Sequence, residues 1–145
     1  CKGETDFGSY FHNLRSWLDR RHDENALFLK YEDIRRDKAG VIMKIAKFIE
    51  DGDDEMGLES ELSGQGGKSQ LMDNILFHSS LTEMKKDPLR WASERSADHT
   101  PFIRSGRVGG HAELMSKEQE GRLDEMMKQE FTEEELGFLG SKYYS

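Results

Sequence analysis

The stretch "ALFLKYEDIRRDKAGVIMKIAKFIE", residues 26–50, decides what kind of fold the chain is expected to build. Ala26-Leu-Phe-Leu-Lys-Tyr31 is a short, largely apolar run that ends in an aromatic residue, the pattern of a buried strand. Glu32-Asp33 closes that run. Asp37 then stands where it would cap a helix over residues 39–50, whose Val41, Ile42, Ile45, Phe48 and Ile49 recur at helical spacing on one stripe. A buried strand leading into an amphipathic helix is the unit of an α/β fold. One strand makes no parallel sheet, so its partners are expected in a part of the protein upstream of residue 1.

Outward from this unit the sequence is helical. Residues 8–20 carry Tyr10, Phe11, Leu14, Trp17 and Leu18 at three- and four-residue spacing, with Ser9 as the N-cap. Residues 51–67 are acidic, then rich in glycine and serine, and without periodicity; they read as a mobile surface loop. Residues 68–77 return to helical spacing through Leu71, Met72, Ile75 and Leu76, and 80–86 form a further turn stopped by Pro88. Residues 90–99 are polar and irregular. Ser116 with Gln119 makes a capping box for a helix to about residue 129, and Thr132 with Glu135 repeats the device.

Composition narrows the function. The 145 residues suit one domain, and 21 basic against 29 acidic side chains give a formal charge of −8. Such a balance argues against a general nucleic-acid surface, because phosphate backbones reward basic faces. No apolar run approaches the roughly 18 residues that span a bilayer, and no signal peptide is visible, so no membrane partner is expected. The single cysteine, Cys1, excludes an internal disulfide framework and fits a reducing, cytoplasmic compartment. A first residue other than methionine fits a piece of a longer chain. The histidines 12, 22, 78, 99 and 111 show no paired metal-ligand spacing, and the acidic cluster 50–55 lacks the alternation of a calcium loop, so no metal is expected.

Arg104-Ser-Gly-Arg-Val-Gly-Gly110 stands apart. Glycines let a backbone approach an anion and expose consecutive N–H groups, and arginine offers a planar donor fork for phosphate. On its own residues the loop is either such a cradle or a connection. Ser79-Ser80, after a helix, either caps the next turn or bonds a ligand.

Four segments in order resemble the cytosolic sulfotransferases, which transfer a sulfuryl group from 3′-phosphoadenosine 5′-phosphosulfate (PAPS) to a hydroxyl or amine. Gly8-Ser-Tyr-Phe-His-Asn-Leu-Arg-Ser-Trp17 resembles the helix that begins Gly-Ser-Trp and closes on tryptophan. Leu27-Phe-Leu-Lys-Tyr-Glu-Asp-Ile34 resembles the family's strand ending in Tyr-Glu-Asp-Met. His78-Ser-Ser-Leu-Thr-Glu-Met-Lys-Lys-Asp-Pro88 is similar to its His-Thr-Ser-Phe-Lys-Glu-Met-Lys-Lys-Asn-Pro segment. Pro101-Phe-Ile-Arg-Ser-Gly-Arg-Val-Gly-Gly110 is similar to Pro-Phe-Met-Arg-Lys-Gly-x-x-Gly-Asp-Trp, and Arg122-Leu-Asp-Glu extends it into the next helix.

The resemblance implies a P-loop-like, three-layer α/β fold of which residues 1–145 form the C-terminal, mostly helical portion. It implies PAPS as co-substrate, a small alcohol, phenol or amine as acceptor, and a nucleotide site. In that site Tyr31 would touch the adenine edge, Ser79 the nucleotide, and Leu81 the adenine face. Phe102 and Ile103 would line the same pocket. Arg104 would pair with the 3′-phosphate, helped by backbone N–H groups around Ser105 and Gly106.

The departures from the family pattern are as specific. Ser105 stands in place of a lysine, and Gly110-His111-Ala112 in place of Asp-Trp-Lys. The family's dimer motif is not matched at Ala112, Ser116-Lys117 and Gly121, so its usual homodimer is not expected. The phosphosulfate loop Pro-Lys-Ser-Gly-Thr-Thr-Trp and the catalytic histidine have no counterpart here. The 145 residues by themselves are therefore expected to be inactive, with no catalytic residue among them. Two other readings stay open: a non-catalytic nucleotide-binding or scaffold descendant, and an acidic helical interaction module using Trp17 or Trp91.

Overall fold

Ser9 turns the chain into its first helix. Its hydroxyl accepts from the His12 N–H at 3.3 Å, which satisfies one of the four donors a helix start leaves open. The computed structural model describes residues 4–5, 8–50, 57–67, 69–87, 90 and 103–140. They fall into two units, one of residues 1–30 with 109–145 and one of 31–108.

In the first unit, strands β1 (Glu4–Thr5) and β2 (Gly8–Ser9) form an antiparallel ribbon with Glu4 opposite Ser9 and Thr5 opposite Gly8. Helix α1 (Tyr10–Leu18) buries Phe11 and Leu18 and leaves Trp17 55 % exposed. A 3-10 turn (Gly110–Glu113) precedes α7 (Lys117–Glu130) and α8 (Glu133–Leu139). Both of the latter open with the expected capping boxes, Ser116 with Gln119 and Thr132 with Glu135. Phe11, Leu18, Met127 and Phe131 make the core of this unit, with Leu14, Leu123, Met126, Leu136, Phe138 and Leu139 packed around it.

Glu135 ties this unit together. It is only 6 % exposed, yet it is charged. Its carboxylate accepts from the Thr132 N–H at 2.7 Å and from the Thr132 hydroxyl at 3.0 Å, and it pairs with the Arg15 guanidinium of α1. Arg15 also donates to the Glu130 carbonyl and lies over the Phe131 ring, 4.7 Å from its centroid.

The strand expected at residues 26–31 is absent. Ala26–Lys30 runs without ladder pairing, and Tyr31 is the first residue of a helix. A strand exists only through its neighbours, and among the described residues no strand lies beside this segment. The run still has two unlike sides. Phe28 packs edge-on against Phe138 at 5.3 Å and Lys30 lies over the same ring, while Leu27 and Leu29 are exposed.

The second unit begins with α2 (Tyr31–Arg36) and α3 (Lys38–Glu50). Asp37 caps α3 as expected, accepting from the Gly40 N–H at 2.9 Å. A Cβ at residue 40 would sit 2.2 Å from that carboxylate, so glycine leaves the cap its room. Three shorter helices follow: α4 (Leu58–Ser63), α5 (Gln70–His78) and α6 (Leu81–Met84). Helix α3 packs against α2, α4 and α5, around buried Val41, Ala46 and Leu62. Helix α4 corrects the reading of 51–67 as loop throughout: Leu58 and Leu62, one turn apart, give it an apolar edge that α3 and α5 cover. Residues 51–56, and 91–99 of the polar stretch, lie outside the described residues. The architecture observed is mostly helical.

Leu18 is fully buried, so Leu18→Ala is expected to cost about 2–5 kcal/mol in urea unfolding. Glu135 provides a pH test. The Thr132 N–H holds its carboxyl below the usual carboxylate range, with the Thr132 hydroxyl, Arg15 and Arg21 assisting and burial opposing. The carboxylate's contribution is therefore present above its unfolded pKa of about 4.3 and lost as pH falls through the lower folded value. Unfolding curves are expected to show Glu135→Gln weaker at neutral pH and less pH-dependent than wild type below about pH 5. Parallel curves for the two proteins would assign the acid response to other carboxylates.

Candidate functional site

Helices α2 and α3 are separated by Asp37 alone, and Tyr31, Ile34 and Arg35 of α2 and Lys38 of α3 all face one cavity. These four residues form one wall of a cavity of about 530 Å³ within the second unit. Ser79, Leu81 and Met84, around the junction of α5 and α6, form another part. The loop Ile103–Arg107 completes it.

The two adjacent serines divide the roles that the sequence left open. Ser80 caps α6, its hydroxyl accepting from the Glu83 N–H at 3.3 Å. Ser79 ends α5, donating from its backbone N–H (3.0 Å) and its hydroxyl (2.5 Å) to the Ile75 carbonyl, and it lines the cavity. Lys38 fixes this corner from a distance in sequence. Its ammonium donates to the Ser79 carbonyl at 2.6 Å and to the Ser79 hydroxyl at 3.3 Å.

The loop is seated by a glycine. Gly106 has φ +64, a left-handed conformation that costs any L-residue strain. A Cβ there would also lie 3.0 and 3.1 Å from the two methyl groups of Leu81. The backbone at 106 thus rests directly on the side chain that starts α6. Ser105 steadies the same turn by accepting from the Arg107 N–H at 3.5 Å.

Of the expected site residues, Tyr31, Ser79, Leu81, Ile103, Arg104, Ser105 and Gly106 all line this one cavity, and Phe102 lies outside the described residues. Ile34, Arg35, Lys38, Met84 and Arg107 line it too. The first two were hidden by reading Tyr31 as the end of a strand, since only a helix brings 31, 34 and 35 to one side. The described lining carries four cations, Arg35, Lys38, Arg104 and Arg107, and no carboxylate, in a chain of net charge −8. Burial and then the charge of Arg35 push the Lys38 ammonium below the usual lysine range. Such a lining offers charge-assisted donors beside an apolar side, an arrangement able to hold an anion that carries a planar ring.

A smaller cavity of about 330 Å³ in the first unit is lined by Leu114, Met115, Gln119, Arg122 and Leu123. Among the described residues no group of three or more metal-ligating side chains gathers, and no helix is long and apolar enough to cross a membrane.

Comparison with known proteins points the same way. The family model described as "Sulfotransferase domain" matches residues 1–135, and the chain belongs to the sulfotransferase family. Sulfotransferase 1C2 of Rattus norvegicus is 29 % identical over 141 residues, covering 94 % of this chain and 43 % of the relative. Sulfotransferase 1 family member D1 of Mus musculus is 30 % identical over 112 residues, covering 74 % and 33 %. Sulfotransferase 1E1 of Bos taurus is 29 % identical over 119 residues, again covering 74 % and 33 %. The chain spans less than half the length of these relatives. No solved structure matches it significantly.

The seat of the loop is open to a direct test. Gly106→Ala is expected to destabilise the protein by about 1–2 kcal/mol from left-handed strain alone, with a further loss from the Leu81 contact. In a Leu81→Ala background the further part is expected to vanish, so urea unfolding of the double mutant reads the contact. A full loss in both backgrounds would show that Leu81 does not seat the loop.

Proposed function

We propose that this chain supplies the adenine wall and part of the 3′-phosphate clamp of a PAPS-dependent sulfotransferase. One observation carries the reading: a single cavity gathers Tyr31, Ser79, Leu81, Ile103, Arg104, Ser105 and Gly106 from three separate segments of the chain. Tyr31 touches the adenine edge, Leu81 packs on its face, and Ile103 lines the same slot. Ser79 meets the nucleotide. Arg104 pairs with the 3′-phosphate, joined by the N–H groups of Ser105 and Gly106, as charge-assisted donors suit a dianion.

PAPS, when bound, supplies a sulfuryl group carried on a good leaving group. In the intact enzyme the hydroxyl or amine of a small acceptor attacks sulfur in line, the bond from sulfur to the bridging oxygen breaks, and adenosine 3′,5′-bisphosphate leaves. That reaction needs a general base for the acceptor proton and positive charge at the bridging oxygen. No residue of this chain is assigned to either task, so these residues bind and orient the donor and the 145-residue piece alone is inactive. The enzyme works in the cytoplasm, which a single cysteine fits. Ser105 and Gly110-His111-Ala112, standing where the family pattern has a lysine and Asp-Trp-Lys, favour a second reading in which the nucleotide is bound without transfer.

Calorimetry on the intact protein tests the site. Arg104→Ala is expected to weaken adenosine 3′,5′-bisphosphate by roughly 10- to 100-fold, the worth of a charge-assisted bond, and to leave adenosine 5′-phosphate nearly unchanged. Equal losses for both nucleotides would remove the 3′-phosphate from Arg104. A sulfuryl-transfer assay on the same protein separates enzyme from silent binder.

A further inference from the structure

We propose that Lys38 is a second 3′-phosphate-binding cation of the cavity, contributed by the α2–α3 wall rather than by the loop that bears Arg104. The inference rests on the nucleotide reading of the cavity and adds to it a residue outside the resembling motifs.

The ammonium of Lys38 has three protons to donate. Two go to Ser79, one to its carbonyl at 2.6 Å and one to its hydroxyl at 3.3 Å. Among the described residues nothing accepts the third, and no carboxylate pairs with the charge. Its charged neighbour is Arg35, of the same sign. Among the described residues the other charged ones lining the cavity, Arg104 and Arg107, are cations as well.

A lysine that serves only to close the end of α5 would account for the carbonyl contact, since cations suit a helix C-terminus. That role does not require a second cation, Arg35, beside it. Gathering like charges in a partly desolvated cavity is unfavourable, and an entering anion relieves the repulsion. A dianion relieves it more than a monoanion.

Tyr31 opens α2 and Lys38 opens α3, and both line the cavity together with Arg104. An aromatic ring and an ammonium in one cavity suit a base and a phosphate of one nucleotide. The loop has Ser105 next to Arg104, and its other cation is Arg107. Lys38 adds a cation from the α2–α3 wall.

The test compares Lys38→Gln, Lys38→Arg and Arg104→Ala in the intact protein, titrated calorimetrically with adenosine 3′,5′-bisphosphate, adenosine 3′-phosphate and adenosine 5′-phosphate. Glutamine keeps a donor for the Ser79 carbonyl and deletes the charge; arginine keeps the charge. Lys38→Gln is expected to weaken the two 3′-phosphorylated nucleotides roughly tenfold and the 5′-phosphate less than about twofold. Lys38→Arg is expected to restore the preference. Unchanged binding in Lys38→Gln, or equal losses for all three nucleotides, overturns the role of Lys38; if Arg104→Ala still loses the 3′-preference, the reading of the cavity survives. Failure of the wild-type protein to bind any of the three overturns both.

Discussion

A helix of nine residues does not hold itself in water, and most helices here are that short or shorter. Their ends are what the structure depends on. A hydroxyl or carboxylate just before the first turn accepts from an N–H three residues on at Ser9, Asp37, Ser69, Ser80, Ser116 and Thr132. Each such cap is worth about 1 kcal/mol, a sizeable share of the roughly 5–15 kcal/mol that keeps an ordinary domain folded. At α8 the device is extended. The same carboxylate that completes the cap also receives Arg15, so a local motif becomes a long-range tie.

That difference between local and distant ties explains what was legible in the sequence. Caps span three residues, so Ser9, Asp37, Ser116 and Thr132 could be read directly, and with them the starts of four helices. The gathering of Tyr31, Ser79 and the 103–106 loop was legible only through resemblance to a family, because no spacing rule links positions so far apart. The link from Lys38 to Ser79 crosses 41 positions and left no trace in either. Helix α4 was missed because Leu58 and Leu62 are too few to establish a period. The run 26–31 misled for a different reason: a short apolar stretch reads alike as strand or as the approach to a helix, and pairing alone decides.

Arg35 and Arg36 show how an acidic protein concentrates positive charge. The two are adjacent in sequence, yet a helix turns successive side chains by about 100°. Arg36 is directed to Asp33 at 3.2 Å, an exposed pair of the kind that adds little stability. Arg35 lines the cavity beside Lys38. Pairs such as Lys86 with Glu83 and Lys117 with Glu120 tie other cations to carboxylates, while Arg35 and Lys38 stand together on the cavity wall. The net charge of −8 conceals that local excess.

The segment Ala26–Lys30 is two-sided. One of its sides rests on Phe138 through Phe28 and Lys30, and the other presents Leu27 and Leu29 to water. A backbone without ladder partners, flanked by alternating apolar side chains, is a template that any passing extended chain can join. An open backbone carrying exposed leucines is the kind of surface that folded proteins cover or blunt with charge, and here the covered side is the one against Phe138.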